Sequence, residues 1–139
     1  MARVRGRDTK PEIAVRRALR ECGLGYRIQA RDLPGSPDVV LRGRGIAIFV
    51  HGCFWHRHAG CRLCTTPRSN VEFWSGKFAR NVERDIRNVA LLEAAGWRVV
   101  TIWECETRVP ATLSESARKV SVLALEGRRI RRRPRPRVR

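Results

Sequence analysis

The residues that could carry out chemistry lie in two short stretches of this chain. Asp38 follows a proline-containing turn at residues 33–37, and the segment 51–64 contains all three histidines and three of the five cysteines. A carboxylate beside an imidazole suits Mg²⁺-assisted hydrolysis, because the ion prefers oxygen ligands and the imidazole can move a proton of water. In a reducing compartment, closely spaced cysteines and histidines hold a metal more often than they form disulfides. The sequence therefore predicts two separate metal-dependent features.

The stretch from Asp38 to Val50 has the pattern of a β-hairpin. Two β-rich runs flank the sequence Arg-Gly-Arg-Gly, which is typical of a turn. Folding the chain about Arg44 places Asp38 opposite Val50, with His51 one position further. The carboxylate and the main-chain carbonyl of Val50 could then share one Mg²⁺ ion beside an imidazole. Asp38 alone is weak evidence, since Pro-Asp turns are also common structural caps.

Five residues of the 51–64 segment are candidate metal ligands, whereas a closed structural zinc site needs four. The candidates are Cys53, His56, His58, Cys61 and Cys64. A local site would leave out His56 and keep both Cys61 and Cys64, because Cys-x-x-Cys is a familiar ligand pair. The remote Cys105 is an alternative fourth ligand, and buried cysteines without any metal are a third interpretation.

The elements that must position these residues follow from periodicity. Thr9 begins a capping box with proline in the first turn, so we expect a helix that ends at Gly23. Residues 26–29 alternate weakly like a strand, and residues 97–103 form an apolar strand. Two further helices are indicated by apolar residues at helical spacing: Phe78, Val82, Ile86 and Val89 in a long helix closed by Gly96, and Leu113, Ala117, Val120 and Ala124 in the last one.

The resulting order, αβββαβα, predicts an α/β or α+β fold in which helices flank a mixed sheet. Such an order favours a nuclease-like domain over a helix-turn-helix module. We expect one domain over residues 1–127, because 139 residues are too few for two ordinary domains. Residues 128–139 have too few apolar side chains to pack, and we expect a disordered basic tail there.

The net charge of +17 indicates a polyanionic partner. Residues 128–139 contain eight arginines and no acid, and the rest of the chain is also basic. Such a field attracts nucleic acid and releases counterions on binding, although a basic tail can also serve only solubility. No apolar run is long enough to span a membrane and the N-terminus lacks a signal-peptide pattern, so we expect a cytoplasmic protein without membrane contact.

Phe54 and Trp55 are two large rings in a loop with polar neighbours, where there is little core for them to enter. We therefore expect them to contact DNA by inserting between bases. Unstacking a base step costs about a few kcal/mol, and a mismatched step is weaker, so insertion can contribute selectivity. The other interpretation is that one of the rings covers the metal-binding loop or the core.

Five motifs in register resemble the very-short-patch repair (Vsr) endonucleases. They are Leu33-Pro34-Gly35-Ser36-Pro37-Asp38, His51-Gly52-Cys53-Phe54-Trp55-His56, Glu72-Phe73-Trp74, Asn81-Val82-Glu83-Arg84-Asp85, and Gly96-Trp97-Arg98-Val99 through Trp103-Glu104-Cys105. They occur in the family's order across residues 1 to about 106, which is far more specific than any single motif. The resemblance implies a restriction-endonuclease-like fold of the PD-(D/E)XK type, Mg²⁺-dependent cutting of one DNA strand, and a structural Zn²⁺ ion.

The resemblance also implies a role for each catalytic candidate. Asp38 would be the catalytic carboxylate that binds Mg²⁺. His51 and His56 would activate water and stabilise the phosphate or the leaving group. Asp85 would orient His51, and Glu12 would support the site from the first helix.

By the same resemblance the zinc ligands would be Cys53, His58, Cys61 and Cys105. Met1 and Trp74 would join Phe54 and Trp55 at the DNA. Val50 replaces a threonine of the best-known members and would still bind Mg²⁺ through its main-chain carbonyl. The second carboxylate and the lysine of restriction-type nucleases do not follow the first carboxylate in this sequence.

These features predict a monomeric endonuclease that nicks double-stranded DNA 5′ to the thymine of a T:G mismatch, the lesion left by deamination of 5-methylcytosine. We expect it at the nucleoid, with DNA repair proteins as further partners. The mismatch specificity depends on the resemblance alone. Two rival interpretations are a nicking or restriction-type nuclease of other specificity, and a zinc-stabilised DNA-binding module whose catalytic centre has decayed.

Overall fold

The computed structural model describes residues 8–127, so Met1 and the basic tail at 128–139 lie outside the described residues. The elements in chain order are α1 (Lys10–Glu21), β1 (Arg27–Ile28), β2 (Val39–Leu41), a 3-10 turn (Arg42–Arg44), β3 (Ile46–His51), α2 (Val71–Ala94), β4 (Arg98–Trp103), α3 (Glu104–Thr107) and α4 (Pro110–Gly127). The predicted order αβββαβα is confirmed, with the short helix α3 added to it. No helix within the described range is long and apolar enough to cross a membrane.

The four strands form one mixed sheet in the order β1-β2-β3-β4. The β1–β2 and β2–β3 pairs are antiparallel, whereas β3 and β4 are parallel, with His51 paired with Trp103 where both strands end. All six residues of β3 are buried, as expected for a strand that is covered on both faces. The predicted mixed sheet is therefore confirmed, although β1 is shorter than predicted.

The β2–β3 hairpin is one position out of the register expected from a turn centred on Arg44. The observed pairing puts Asp38 in line with Phe49 rather than with Val50. The connection spans residues 42–45, a 3-10 turn followed by a left-handed glycine. Because this connection has an even number of residues, its centre falls between two positions, and the predicted register was wrong by one.

Alternation along β3 divides the core into two layers. Ile46 and Ile48 belong to a buried cluster that includes side chains of α1 and α4. Ala47 and Phe49 belong to a second cluster, which includes Leu92 of α2. Helices therefore cover both faces of the sheet, in agreement with the predicted α/β architecture.

The inner face of α2 is rotated from the face that its apolar residues predicted. Phe78 and Leu92 are buried, whereas Ile86 is 66% exposed, so the predicted place of Ile86 on the packed face was wrong. Ile86 follows Phe78 by two four-residue steps. At about 100° per residue, its side chain therefore points about 80° away from that of Phe78 around the helix axis. Asp85 is seven residues after Phe78, a spacing that brings it closer to the direction of Phe78, and it is half-buried. The inner face of α2 therefore carries a polar residue as well as apolar ones.

Candidate active site and metal centre

A cleft of about 780 Å³ opens where the end of β3 meets the start of α1 and the middle of α2. Its walls include all five residues predicted to be catalytic: Glu12, Asp38, His51, His56 and Asp85. Gly35 lets the turn before β2 pass close to α2, since a Cβ there would lie 2.8 Å from Nδ2 of Asn88. Four parts of the chain contribute acids and imidazoles to one space: α1, the turn before β2, the end of β3 with the loop after it, and α2.

Asp38 directly precedes β2, and its Oδ2 accepts a hydrogen bond from the main-chain N–H of Val50 at 2.7 Å. Burial raises the pKa of Asp38 to about 7, the Val50 N–H opposes this rise, and the charge of Glu12 adds to it. A carboxylate in such a position is stabilised in its charged form by a nearby cation. The site therefore favours a metal ion that takes oxygen ligands.

Glu12 is the second acid of the cleft wall and is only 4% exposed. Its Oε2 accepts hydrogen bonds from the main-chain N–H of Asp8 at 2.9 Å and from Nη2 of Arg16 at 3.2 Å. Arg16 also pairs with the Asp8 carboxylate at 2.8 Å. These contacts offset the buried charge of Glu12 and fix its side chain, as a buried carboxylate requires.

His51 ends β3 and is 7% exposed. Burial, followed by the charge of His56, lowers the pKa of its imidazole to about 4, while Asp85 acts in the opposite direction. At neutral pH the ring is therefore uncharged, and one ring nitrogen can accept a proton. The rings of His51 and His56 stack with their centroids 3.8 Å apart and their planes within 4°.

The carboxylate of Asp85 is paired with His56 and not with His51. Its Oδ2 lies 2.6 Å from Nδ1 of His56. The prediction that Asp85 orients His51 was therefore wrong in its partner. His51 is still part of β3, whereas the loop after β3 brings His56 to α2. The Asp85 carboxylate, which lies on α2, therefore bonds to His56.

The cysteine cluster consists of Cys53, His58, Cys61 and Cys105, whose ligand atoms all lie within 4.8 Å of one another. Nδ1 of His58 lies 3.6 Å from Sγ of Cys53 and 3.5 Å from Sγ of Cys105. A tetrahedral zinc ion with ordinary bond lengths needs about 3.6 Å between a sulfur and a nitrogen ligand, so these residues fit such an ion. The geometry favours Cys105 over Cys64 as the fourth ligand.

Burial has a large effect on the thiols of the cysteine cluster. It raises the pKa of Cys53 to about 12 and also raises the pKa of Cys105. A main-chain N–H, that of Leu63, lowers the pKa of Cys61 to about 7. Because only thiolates bind metal tightly, the buried thiol of Cys53 and the half-buried thiol of Cys105 need a cation beside them to ionise.

Trp103 joins the cysteine cluster to the cleft. Its ring stacks on His58 with centroids 4.2 Å apart, and it meets the ring of His51 edge-on at 5.4 Å. The main-chain N–H of Trp103 donates a hydrogen bond to Oε2 of Glu106 at 2.7 Å. This bond caps α3 at the point where β4 ends. This short helix, which the sequence pattern did not predict, brings Cys105 to the cluster.

Four rings form an aromatic cluster between the loop after β3 and α2: Phe54, Trp55, Trp74 and Phe78. The centroid of Phe54 lies 5.0 Å from Trp55, 5.8 Å from Trp74 and 5.2 Å from Phe78. The expectation that Phe54 has little core to enter was wrong, because it packs against the buried ring of Phe78. Trp55 lines the edge of the cleft. Contact of these rings with DNA stays a prediction.

Several polar residues of the site were missed by sequence reasoning. Lys77, Arg84 and Asn88 of α2 line the cleft, and so does Glu104, whose Oε1 accepts from the main-chain N–H of Cys53 at 3.4 Å. The three α2 residues lie within about 40° of one another around the helix and about 60–100° from Asp85, so their place on the cleft wall depends on how α2 packs and not on helical spacing from Asp85. Two of them are cations, which adds positive charge where a phosphate would approach.

Comparison with known proteins gives a consistent family. A family model described as "DNA mismatch endonuclease Vsr" matches residues 1–62. The chain is 48% identical to the type II nicking enzyme V.XorIIP of Xanthomonas oryzae pv. oryzae, over 76% of this chain and 77% of the relative. It is 42% identical to the DNA mismatch endonuclease Vsr of Escherichia coli K12, over 84% and 74%. It is 40% identical to the type II nicking enzyme V.NmeAIP of Neisseria meningitidis, over 83% and 81%.

Proposed function

The chain belongs to the Vsr family of DNA mismatch endonucleases, and we propose that it nicks one strand of duplex DNA 5′ to the thymine of a T:G mismatch with the help of Mg²⁺. Membership of this family makes it a DNA-hydrolysing enzyme. The mismatch would come from deamination of 5-methylcytosine, and the nick would begin very-short-patch repair. The fold would be restriction-endonuclease-like, and the enzyme would act as a cytoplasmic monomer on nucleoid DNA beside other repair proteins.

One observation carries this proposal: the cleft joins a half-buried carboxylate, an uncharged imidazole and a histidine–carboxylate pair. These are Asp38, His51 and the pair His56–Asp85. Hydrolysis of a phosphodiester needs a cation for the phosphate, a group that takes a proton from water, and a group that faces the developing charge. The cleft offers residues suited to all three.

Asp38 and the main-chain carbonyl of Val50 would hold the Mg²⁺ ion. The fit is supported by the donor chemistry, since an oxygen ligand whose pKa is raised by burial gains stability from a divalent cation. Glu12 contributes further negative charge at the same wall. When bound, the ion would offset the charge of the scissile phosphate.

His51 and His56 would then divide the proton chemistry. His51 is uncharged at neutral pH, so it can accept the proton of the attacking water as the water oxygen bonds to phosphorus and the bond from phosphorus to the leaving oxygen breaks. The leaving oxygen then takes a proton from water. Asp85 holds Nδ1 of His56, which leaves Nε2 of that ring free to face the phosphate or the leaving oxygen. Lys77 and Arg84 would bind neighbouring phosphates from α2.

The cysteine cluster would hold a structural Zn²⁺ ion through Cys53, His58, Cys61 and Cys105. Three of these ligands lie on the loop after β3 and one lies on α3. When bound, zinc would fasten that loop to the sheet. His56 lies between two of the ligands, so the same link would hold the catalytic histidine at the cleft.

Recognition of the mismatch would use the aromatic cluster. Phe54, Trp55 and Trp74, together with Met1 outside the described residues, would insert at the weakened base step. The rings lie beside the cleft, so a bent duplex could contact both at once. The domain formed by residues 1–127 would make these contacts, and the tail at 128–139 would add general affinity for phosphates.

A second candidate function is a nicking enzyme of different sequence specificity. It is favoured by the two relatives named as type II nicking enzymes. The same cleft would serve it, and only the DNA that is bound would differ.

Labelled duplexes that carry T:G, U:G or fully paired sites, incubated with the protein and Mg²⁺, separate these functions. Strand-specific nicking at T:G alone supports the proposal. Nicking of fully paired DNA supports the second candidate. Binding without nicking by the wild-type protein would contradict both and would indicate a DNA-binding module.

A further inference from the structure

The first four residues of the loop at 52–58 have carbonyls that each accept a hydrogen bond. Main-chain groups satisfy the first two. The N–H of His56 donates to the carbonyl of Gly52 at 3.1 Å, and the N–H of His58 donates to the carbonyl of Cys53 at 3.0 Å. The next two carbonyls belong to Phe54 and Trp55, and within the described residues neither accepts a main-chain hydrogen bond.

Two side chains satisfy the carbonyls of Phe54 and Trp55. Nη1 of Arg57 donates to the Phe54 carbonyl at 3.3 Å. Nδ2 of Asn81, on α2, donates to the Trp55 carbonyl at 3.2 Å. Because each ring is attached to a residue whose carbonyl is fixed, the directions of both rings depend on these two donors.

Arg57 makes more contacts than a hydrogen bond to one carbonyl. Its Nη1 also donates to the main-chain carbonyl of Thr65 at 2.8 Å, and its Nη2 donates to Oγ1 of Thr66 at 2.8 Å. The centre of its guanidinium lies 4.0 Å from the ring centroid of Phe78, within the range of a cation–π contact. One side chain thus connects the loop, the segment after it and α2.

The backbone of Arg57 also indicates a fixed position. Its φ of 55° lies in the left-handed region, which residues with a Cβ seldom adopt. Such a conformation persists only where the surroundings determine it, and it is common where a local shape is needed for function. Arg57 is half-buried, with its guanidinium over the buried ring of Phe78.

We propose, on the premise of the function above, that Arg57 is a positioning residue that holds Phe54 and Trp55 in their DNA-inserting arrangement before DNA arrives. Its forked donors do this by fixing the Phe54 carbonyl to the segment at Thr65 and Thr66. A loop ordered in advance avoids the cost of ordering on binding and keeps the reacting groups in register. The charge of Arg57 is then of secondary importance to the DNA.

Three variants separate this role from an ordinary phosphate contact. Arg57→Ala removes both the charge and the forked N–H donors of the guanidinium. Arg57→Lys keeps the charge and loses the planar, forked donors. Arg62→Ala is the matched control, because Arg62 is an exposed arginine of the same region and its loss removes the same charge. Metal content and thermal melts of all three variants establish whether they fold. If Arg57→Ala does not fold, Arg57→Lys carries the test.

The variants are compared by single-turnover nicking of a T:G duplex with 2-aminopurine beside the mismatch, whose fluorescence rises when the base unstacks. We expect both Arg57 variants to lower the fluorescence change and to slow nicking at saturating enzyme by about tenfold or more, as for a misplaced reacting group. Arg62→Ala should weaken binding and leave the saturated rate unchanged. A lysine variant with the wild-type rate and fluorescence would overturn the proposal in favour of a phosphate contact.

Amide hydrogen exchange of residues 53–58 in the free protein gives a readout that needs no DNA. Exchange should be faster in both Arg57 variants than in wild type and in Arg62→Ala, and unchanged exchange would overturn the positioning role. If wild type nicks no mismatched duplex, the proposed function fails, while faster exchange in the Arg57 variants would still uphold the role of Arg57 in fixing the loop.

Discussion

The cysteine cluster and the cleft are adjacent and share one stretch of chain, yet the first has all of its side chains around one point, whereas the second lines an open space. The ligand atoms of the cysteine cluster converge within 4.8 Å of one another. In the cleft, His51, His56 and Asp85 also converge within 4.8 Å of one another, whereas Asp38 and Glu12 line other parts of a space of about 780 Å³. Trp103 lies between the two regions and contacts a histidine of each.

This difference shows how the same physical effect can serve two purposes. Burial raises the pKa of Cys53 in one region and of Asp38 in the other, so both regions favour a cation. In the cysteine cluster four ligands leave no open position, which is typical of a structural ion. In the cleft the acids and imidazoles border an open space that water and substrate can enter. We therefore expect changes to the cysteine cluster to affect folding and changes to the cleft to affect the reaction.

Cys53→Ser and Cys105→Ser should have the largest effect and abolish both the bound zinc and cooperative unfolding, because binding of a structural zinc contributes about 10–16 kcal/mol to folding. Cys64→Ser is the matched control and should retain the metal, since Cys64 is not part of the cysteine cluster. Elemental analysis and thermal melts measure both properties. Loss of metal from Cys64→Ser together with its retention in Cys105→Ser would reverse our assignment.

His51→Ala should slow nicking by about 10²–10⁴, the range for a lost proton-transfer group. Zinc content and affinity for the T:G duplex should change little, because His51 belongs to the cleft and not to the cysteine cluster. Single-turnover rates and a binding titration on the same preparation test this. A variant that loses its zinc would show that the two regions are not separable.

Asp38→Asn should stabilise the Mg²⁺-free protein at alkaline pH. The folded pKa of Asp38, about 7, lies above its ordinary value of 3.8, so the folded state binds the proton more tightly than the unfolded state. The resulting stability is complete below about pH 4, is lost as the pH rises through about 7, and amounts to at most about 4 kcal/mol. An asparagine at position 38 does not titrate, so the stability of the variant has no such dependence on pH.

Thermal melts of wild type and Asp38→Asn at about pH 5 and about pH 8, without Mg²⁺ but with zinc retained, measure this difference. Added Mg²⁺ should restore the stability of wild type at the higher pH and leave the variant unchanged. If the stability of both proteins depended on pH in the same way, the pKa of Asp38 would not be raised in the folded state.

Deletion of residues 128–139 should have the smallest effect on chemistry, because it removes no residue of either region. We expect matched and mismatched duplexes to be bound more weakly by a similar factor, with the slope of log affinity against log salt falling by about 0.9 for each lost phosphate contact. The ratio of T:G to paired nicking should stay constant. Unchanged affinity at every salt concentration would indicate a tail that serves only solubility, and a selective loss of T:G nicking would mean that the tail takes part in recognition.

The order of elements was predictable because local patterns determine it. Thr9 caps α1 through its own side chain, and the apolar run of β3 indicated a strand with two covered faces. The hairpin register was missed by one position because it depends on the conformation of a turn and not on its sequence alone. Ile86 was misassigned because an apolar side chain does not have to face the core.

The candidate site was predictable where ligands are close in sequence and less so where they are remote. Spacing alone left Cys64 and Cys105 as alternatives, and only the fold brings α3 to the loop after β3. The pairing of Asp85 with His56 depends on how that loop approaches α2, which no local pattern specifies. Lys77 and Arg84 were missed because exposed cations on a helix are common, and their place on the cleft wall depends on helix packing.

The most direct test of the central claim, that the cleft at Asp38 performs hydrolysis separately from the cysteine cluster, is nicking and binding by Asp38→Asn on one preparation. We expect no nicking of the T:G duplex at any Mg²⁺ concentration, with one zinc per chain retained and affinity for the duplex within a few-fold of wild type, because the phosphate contacts are made by other residues. Nicking at the wild-type rate by this variant would contradict the claim and remove Asp38 from the active site.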